Sequence, residues 1–215
     1  YIDSLNQTME NLLTIEAATN SIAKNSTNKP SPDSVISALI EIEKQSKKEQ
    51  KKYQLEKLFG NWQLCFVTGT KKTREKVGII LGAGRYIPNW VKITLSYSSP
   101  LNTSEITQKI KVGMVENTVE FASFKLSLSG GTKFIDKKNI LAFDFTKITV
   151  KLFGIKLYSG YIRGGKESEN KFLTESVAKQ AFFTYFLIQE KFIAARGRGG
   201  GLAIWKKLEN LELSE

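Results

Sequence analysis

The stretch LFGNWQLCF, residues 58–66, separates two regions of the chain that differ in hydrophobic periodicity. Before it, apolar residues recur every three or four positions, as they do on one face of a helix. From Trp62 onward they alternate with polar residues, which is typical of half-buried strands. The stretch therefore predicts a helical segment over residues 1–59, packed on a β-rich body over residues 60–215.

Two or three amphipathic helices are predicted in the first region. The apolar stripe of the first helix consists of Ile2, Leu5, Met9, Leu12, Leu13 and Ile15. The second helix begins at Ser31, because a serine N-cap followed by Pro32 and Asp33 is typical of a helix start. Two or three such helices cannot bury their apolar faces alone. We therefore expect them to pack on the β-rich body, either as a lid over one end or against its outer wall.

The β-rich region predicts a series of short antiparallel strands separated by turns. Alternation is clearest in residues 62–67, 91–97, 110–114, 119–128, 143–152 and 202–208. A parity shift at Ala122-Ser123 predicts a β-bulge, and Gly130-Gly131 is predicted to form a turn. The expected fold is mainly β with N-terminal helices (α+β): an antiparallel barrel capped or flanked by two to three helices. An open sheet is the alternative.

The residue types needed for catalysis are scarce. The chain contains no histidine, the commonest general base and metal ligand, and its one cysteine is Cys65. Cys65 lies on the strand parity opposite Trp62 and is interpreted as a small apolar residue. Residues 82–84 read GAG but lack the third glycine and the helix of a dinucleotide-binding loop. We therefore expect a protein that is not an enzyme and needs no cofactor and no metal.

Positive charge is concentrated in the β-rich region. The net charge is +11; residues 1–60 hold 8 basic and 8 acidic side chains, and the remainder hold 24 and 13. Such a surface favours anionic lipid headgroups, nucleic acid or an acidic protein. The run ARGRGGG at 195–201 is similar to RNA-binding arginine–glycine segments, but its place between two apolar strands favours a tight turn. An anionic membrane surface is therefore the expected partner, and a basic nucleic-acid-binding module is the disfavoured alternative.

Large apolar side chains on one strand parity are the candidates for contacting a hydrophobic small molecule or lipid. In a closed barrel they would point into the interior, where they either form a solid core or line a cavity. The sequence leaves both interpretations open. The candidate interior residues are Leu64, Phe66, Ile93, Tyr97, Val112, Phe121, Phe143 and Phe145.

Three motifs resemble those of the plastid lipid-associated proteins, or fibrillins, of plants, algae and cyanobacteria. ALIEIE at 38–43 is similar to the leucine–glutamate helix of that family, and LFGNWQL at 58–64 is similar to its Leu-x-Gly-x-Trp-x-Leu opening motif. FIAARGRGG at 192–200 resembles its closing Leu-Arg-Ile-x-Arg-Gly-x-x-Gly, with Ile193 in place of the first arginine. The two ends of the chain carry this resemblance, whereas residues 100–180 match only in pattern.

The resemblance implies a lipocalin-like barrel that binds a lipid, carotenoid, quinone or other isoprenoid. It also implies a structural or photoprotective role at thylakoids or plastoglobules of a plastid, or at the thylakoids or in the cytoplasm of a cyanobacterium. Because the chain begins with Tyr1, a targeting segment is expected to have been trimmed. In such barrels the tryptophan of the opening motif lies beneath an arginine of the last strands, which implies a cation–π pair of Trp62 and Arg196 closing one end. Bilin-chromophore lyases have similar barrels, so a lyase is the enzymatic alternative.

Overall fold

The computed structural model describes residues 2–20, 29–69, 84–99 and 111–209. Three α-helices lie in these segments: α1 (Ile2–Asn20), α2 (Pro32–Lys48) and α3 (Gly165–Phe172). The start of α2 is as predicted. Ser31 is the N-cap, its Oγ accepts a hydrogen bond from the amide of Ser34 at 3.2 Å, and Pro32 occupies the first position. None of the described helices is long and apolar enough to cross a bilayer.

Eleven strands lie in the described residues, each antiparallel to its neighbours. They are β1 (Gly60–Val67), β2 (Arg85–Tyr86), β3 (Val91–Ser98), β4 (Lys111–Phe121), β5 (Phe124–Ile135), β6 (Ile140–Phe143), β7 (Lys147–Leu152), β8 (Ile155–Tyr161), β9 (Ala181–Ile188), β10 (Phe192–Gly197) and β11 (Leu202–Lys207). A 3-10 helix spans Leu55–Leu58. Residue 110 of the predicted run 110–114, and residues 82–83 of the GAG run, lie outside the described residues.

Eight of the described strands close into a barrel. Around the ring their order is β1, β3, β4, β5, β6, β9, β10 and β11, and the pairing of β11 with β1 completes it. β7 and β8 continue the sheet from the first half of β5, and β2 pairs with the end of β1. The predicted antiparallel barrel is confirmed, and the open-sheet alternative is wrong.

β5 changes partners along its length. Residues 124–129 pair with β7, whereas residues 132–135 pair with β6. Gly130 lies at the change, where a Cβ atom would collide with the carbonyl oxygen of Asp144. The predicted turn at Gly130-Gly131 is therefore wrong, because Gly130 admits the β6–β7 connection instead of reversing the chain. The predicted bulge at Ala122-Ser123 is wrong as well, since the chain reverses there and Ala122 has φ = 49°.

α1 and α2 pack against the outer wall formed by β1, β9, β10 and β11. The helices contribute Ile15, Ala18, Val35, Ala38, Leu39 and Ile42 to this buried cluster. The strands contribute Cys65, Phe66, Phe186, Leu187, Phe192, Ala194, Leu202 and Ile204. Because the helices cover one side of the wall, the alternative of a lid over the end of the barrel is wrong.

α3, which the sequence did not predict, packs on the outer face of β5. Lys133 points from this face and is almost fully buried; its ammonium group donates to the carbonyl oxygens of Phe172 at 2.9 Å and Leu173 at 3.5 Å. These bonds satisfy carbonyl groups that the end of a helix leaves unpaired. Burial lowers the pKa of Lys133. A lysine on the polar parity of a strand is ordinarily solvated, so this contact is not predictable from the amino-acid sequence.

Candidate functional site: the apolar face at the open end of the barrel

The two ends of the barrel differ. At the end that we call closed, the 3-10 helix Leu55–Leu58 precedes β1 and places Leu55 and Leu58 in the interior core. Trp62 is fully buried beside them, and its Nε1 donates a hydrogen bond to the carbonyl oxygen of Leu58 at 2.6 Å. The opposite end, which we call open, carries the β4–β5 and β7–β8 turns.

The interior next to the closed end is filled with side chains. Tyr97, one of the predicted interior residues, and Tyr185 are both buried, and their hydroxyl oxygens lie 2.8 Å apart in a shared hydrogen bond. Burial raises the pKa of both tyrosines, so both hydroxyls stay protonated at neutral pH. Around them are packed Leu95, Val115, Phe134, Leu141, Ile193 and Trp205. This half of the barrel is therefore solid core.

Aromatic side chains nearer the open end are only partly buried. The ring centroid of Phe143 lies 5.2 Å from that of Phe145 and 5.0 Å from that of Phe183. Phe183 in turn contacts Trp205 of the solid core, with centroids 5.3 Å apart. These rings therefore extend the apolar interior toward the open end, where part of their surface meets water.

The inner face of the wall also continues sideways, past the closed ring. Rows of cross-strand neighbours run across β3, β4, β5, β7 and β8 on the side of the sheet that lines the barrel interior. One row is Ile93, Val119, Leu126, Val150 and Tyr158; the next is Leu95, Asn117, Leu128, Ile148 and Gly160. We define the mouth face as the partly buried apolar residues Ile93, Val119, Leu126, Leu128, Ile148 and Val150, together with Phe143, Phe145 and Phe183.

The outer side of the same five strands is polar. Its matching row is Thr94, Thr118, Ser127, Thr149 and Ser159. The hydroxyl oxygens of Thr118 and Ser127 are 3.0 Å apart, and those of Thr149 and Ser159 are 3.2 Å apart. The five strands are therefore amphipathic, yet their apolar side is partly open to water. A contiguous apolar surface of this kind, continuous with a barrel interior, is suited to an apolar ligand.

Most of the predicted interior residues lie on the inner face. Ile93, Phe143 and Phe145 belong to the mouth face as defined above. Leu64 is partly buried against the interior core, and Phe121 extends the inner face to the rim of the open end. That these residues contact a ligand stays a prediction.

Two predicted interior residues face outward instead. Phe66 belongs to the cluster under the helices, because a bulge between Leu64 and Phe66 shifts the strand parity by one residue. Val112 pairs with Lys133 on the outer face of β5, so the inner parity of β4 is that of Gly113 and Val115. Both predictions of interior position are wrong.

The predicted pairing of Trp62 with Arg196 is also wrong. Trp62 pairs with Lys207 at the end of β11, whereas Arg196 pairs with Leu202 at its start, so the two residues lie at opposite ends of the wall. They also lie on opposite faces, because Trp62 is in the interior core and Arg196 bonds to a helix outside the barrel. The cation over the ring of Trp62 is the ammonium group of Lys207, 5.1 Å from the ring centroid.

Arg196 instead ties the barrel wall to α2. Its Nε donates to Oε1 of Glu43 at 2.9 Å and to Oε2 at 3.1 Å, and its Nη1 donates to the carbonyl oxygen of Gly200 at 2.7 Å. Burial works to raise the pKa of Glu43, but hydrogen bonds from Arg196 and Lys47 outweigh it and hold that pKa below its usual value. The same ion pair raises the pKa of Arg196. This ion pair therefore connects α2 to β10 of the barrel wall.

The glycine–arginine run forms the β10–β11 turn. The amide of Gly197 donates to the carbonyl oxygen of Gly201 at 2.8 Å, and Gly200 adopts φ = 88°. Arg198 donates from Nη1 to the carbonyl oxygen of Gln180 at 3.1 Å. The tight-turn interpretation of this run is confirmed.

Reactive groups are few among the described residues. Cys65 is fully buried, and burial raises the pKa of its thiol to about 12, so the thiol stays protonated at neutral pH. Within the described ranges, no group of three or more Cys, Asp or Glu side chains is placed to hold a metal ion.

Sequence reasoning missed much of the mouth face. It placed Leu126, Leu128, Ile148 and Val150 in strands but not among the site residues. Leu126 and Leu128 are two positions apart, as are Ile148 and Val150, so the sequence indicates that each pair lies on one face of its strand. What joins the pairs is the register between β5 and β7, and alternation within a strand carries no information about its partner.

No protein-family model matches the chain, and no curated protein matches it significantly in sequence.

Proposed function

We propose that the protein binds a lipophilic molecule at the mouth face and does not transform it chemically. The observation that carries this proposal is the apolar inner face of β3, β4, β5, β7 and β8, which is continuous with the barrel interior but only partly buried. Binding would remove apolar surface of both ligand and protein from water, which contributes about 25 cal/mol per Å². A ligand that buries about 300 Å² would gain roughly 7 kcal/mol before the entropic cost of association.

The chemistry of the mouth face favours a long, weakly polar ligand. Its aliphatic side chains come from β3, β4, β5 and β7, and its aromatic rings lie where the barrel interior begins. A lipid acyl chain, a carotenoid, a quinone or another isoprenoid has this shape and polarity. The motif resemblance to plastid lipid-associated proteins supports the same ligand classes, and with them a structural or photoprotective role at thylakoids or plastoglobules.

A matched pair of variants tests the proposal. Val150 and Thr149 are neighbours on β7 that face opposite sides of the sheet, so Val150→Asn and Thr149→Asn place the same amide on the inner and the outer face. We expect Val150→Asn to weaken binding of a fluorescent polyene fatty acid by about tenfold, because an amide without a partner in an apolar site is costly to desolvate. Thr149→Asn should bind the probe like the wild type.

The measurement is a fluorescence titration without vesicles, with circular dichroism to check that each variant folds. Solvent extraction of the protein purified from a pigmented host, followed by mass spectrometry, would identify the natural ligand. Failure of the wild type to bind a fatty acid, carotenoid or quinone would refute the proposal. Equal affinity of the two variants would place the ligand elsewhere.

A further inference from the structure

We propose that the turns at the open end insert into the surface of a bilayer that contains anionic lipid. We define the tip cluster as the exposed apolar side chains of three neighbouring turns: Trp90, Phe121, Phe124, Leu152, Phe153 and Ile155. The bilayer is a partner in addition to the ligand proposed above. Because the tip cluster borders the mouth face, insertion would give a lipophilic molecule a path between membrane and protein.

The tip cluster is one continuous edge. Phe121 and Phe124 flank the β4–β5 turn, Leu152 and Ile155 flank the β7–β8 turn, and Phe124 pairs with Leu152. The amide of Phe153 donates to the carbonyl oxygen of Ser123 at 2.9 Å, which joins the two turns directly. The ring of Trp90 packs edge-on against that of Phe121, with centroids 5.3 Å apart. A rigid edge of this kind loses little conformational freedom when it enters a membrane.

Two features of Phe153 cost free energy: its side chain is exposed to water, and its backbone is in a left-handed conformation. It is 76% exposed, and its φ of 47° together with the 77° of Gly154 gives the left-handed pair that a two-residue hairpin turn requires. Asparagine, aspartate or glycine ordinarily occupies the first position, because other side chains adopt this conformation only at a cost in free energy. An aromatic side chain held outward in a strained conformation is explained if it enters an apolar phase.

A row of positive charge lies directly behind the tip cluster. On the outer face, Lys92, Glu120, Lys125, Lys151 and Lys156 are consecutive cross-strand neighbours. Each lies one residue from the tip of its strand, or about 3 Å along it. Four lysines and one glutamate give the row a net charge of +3. When the tips reach the acyl chains, these ammonium groups lie at headgroup depth, where anionic lipid attracts them.

A second exposed apolar surface lacks this complementarity. α1 exposes Leu5, Met9 and Leu13 on one stripe. Residues 2–20 contain three acidic side chains and no lysine or arginine, so anionic lipid would repel this helix. Charge therefore assigns the membrane contact to the tip cluster.

Vesicle sedimentation tests the apolar part of the proposal. We expect the wild type to sediment with vesicles of phosphatidylcholine and phosphatidylglycerol, and the double variant Phe153→Ser/Ile155→Ser to bind them about tenfold more weakly. Leu13→Ser is the control, because it removes an exposed apolar side chain from α1 instead of from the tip cluster. If the double variant binds like the wild type, or if Leu13→Ser abolishes binding, the tip cluster is not the docking surface.

The lysine row requires its own comparison. Lys151→Gln/Lys156→Gln should weaken binding to phosphatidylglycerol vesicles by about thirtyfold, which corresponds to the summed attraction of two basic residues to an anionic leaflet. Lys57→Gln/Lys191→Gln removes the same charge at the closed end and should leave binding unchanged. Equal effects of both pairs would mean that total charge, not the row, attracts the protein. Equal binding to vesicles of phosphatidylcholine alone would remove the electrostatic argument.

The wild type also offers an internal probe of insertion. Trp90 is exposed, whereas Trp62 and Trp205 are buried in the barrel. We expect brominated acyl chains to quench the emission of Trp90, a signal that Trp90→Phe removes; absence of quenching would refute insertion. Failure here is distinguishable from failure of the ligand proposal, because Phe153→Ser/Ile155→Ser should bind the polyene fatty acid like the wild type in vesicle-free solution, whereas Val150→Asn should bind it about tenfold more weakly.

Discussion

The two ends of the barrel bury their aromatic side chains to very different degrees. At the closed end Trp62 is fully buried and hydrogen-bonded, and Tyr97 and Tyr185 satisfy each other. At the open end Trp90 and Phe153 have most of their surface in water. Neighbouring strands thus carry a completed core at one end and an uncovered apolar edge at the other.

This contrast separates stability from function. Burial of apolar surface and satisfied polar groups stabilise the closed end, so substitutions there should unfold the protein. The exposed apolar side chains of the open end contribute little to stability in water, since folding removes little of their surface from water. Substitutions there should instead change what the protein binds.

The largest effect is expected for Trp62→Ala. The substitution leaves a cavity beside the 3-10 helix and removes the donor to the carbonyl oxygen of Leu58, so it should lower the free energy of unfolding by about 3–5 kcal/mol. Urea denaturation followed by circular dichroism measures this loss. Trp90→Ala is the matched control and should change stability by no more than about 0.5 kcal/mol. A similar loss for both tryptophans would contradict the contrast between the two ends.

A smaller effect is expected where α2 meets the wall. Glu43→Gln should lower the free energy of unfolding by about 2 kcal/mol, because it leaves the partly buried Arg196 without its carboxylate. The pKa of Glu43 is lowered in the folded state. Its contribution is therefore complete above the unfolded-state pKa of about 4.3 and is lost as the pH falls through the folded-state pKa. The difference between wild type and variant should shrink when urea denaturation is repeated in strong acid.

The control for Glu43 is a glutamate of the same helix. Glu41 pairs with Lys44, and both side chains are mostly exposed. Glu41→Gln should therefore cost no more than about 0.5 kcal/mol at neutral pH. A cost equal to that of Glu43→Gln would mean that the helical charges, and not the contact with the wall, stabilise the protein.

The tyrosine pair should give a non-additive result. Tyr97→Phe or Tyr185→Phe alone leaves one buried hydroxyl without its partner and should cost about 1–2 kcal/mol. The double variant should cost less than the sum of the two, since it removes both polar groups. Both pKa values are raised in the folded state, so this contribution is complete below about pH 10 and is lost at higher pH. Additive costs would show that the hydroxyls act independently.

Features encoded within one short segment were predictable from the sequence. The N-cap of α2 at Ser31, the alternation of β3 and the turn after Gly197 each depend on neighbouring residues. They were predicted because capping, periodicity and turn chemistry are local. The antiparallel barrel followed from many such segments taken together.

Features that depend on one-residue shifts or distant partners were not predictable. A single bulge turns Phe66 from the inner to the outer face, and nothing in the alternation marks it. Arg196 meets Glu43, which is 153 residues earlier in the chain. The mouth face likewise depends on the register of β5 with β7, so the prediction found Ile93, Phe143 and Phe145 and missed the rest.

The smallest effect on stability, and the sharpest test of the contrast, is expected for Phe153→Asn. Asparagine suits the left-handed conformation at this turn, so the variant should gain about 0.5 kcal/mol in the free energy of unfolding. Phe153→Ala removes the ring without supplying that preference and should leave stability unchanged within the error of thermal denaturation. Both variants should bind phosphatidylglycerol vesicles more weakly than the wild type. A gain in stability accompanied by a loss of membrane binding would mean that phenylalanine occupies this turn for its contact with lipid, whereas a loss of stability in Phe153→Asn would mean that the ring supports the hairpin itself.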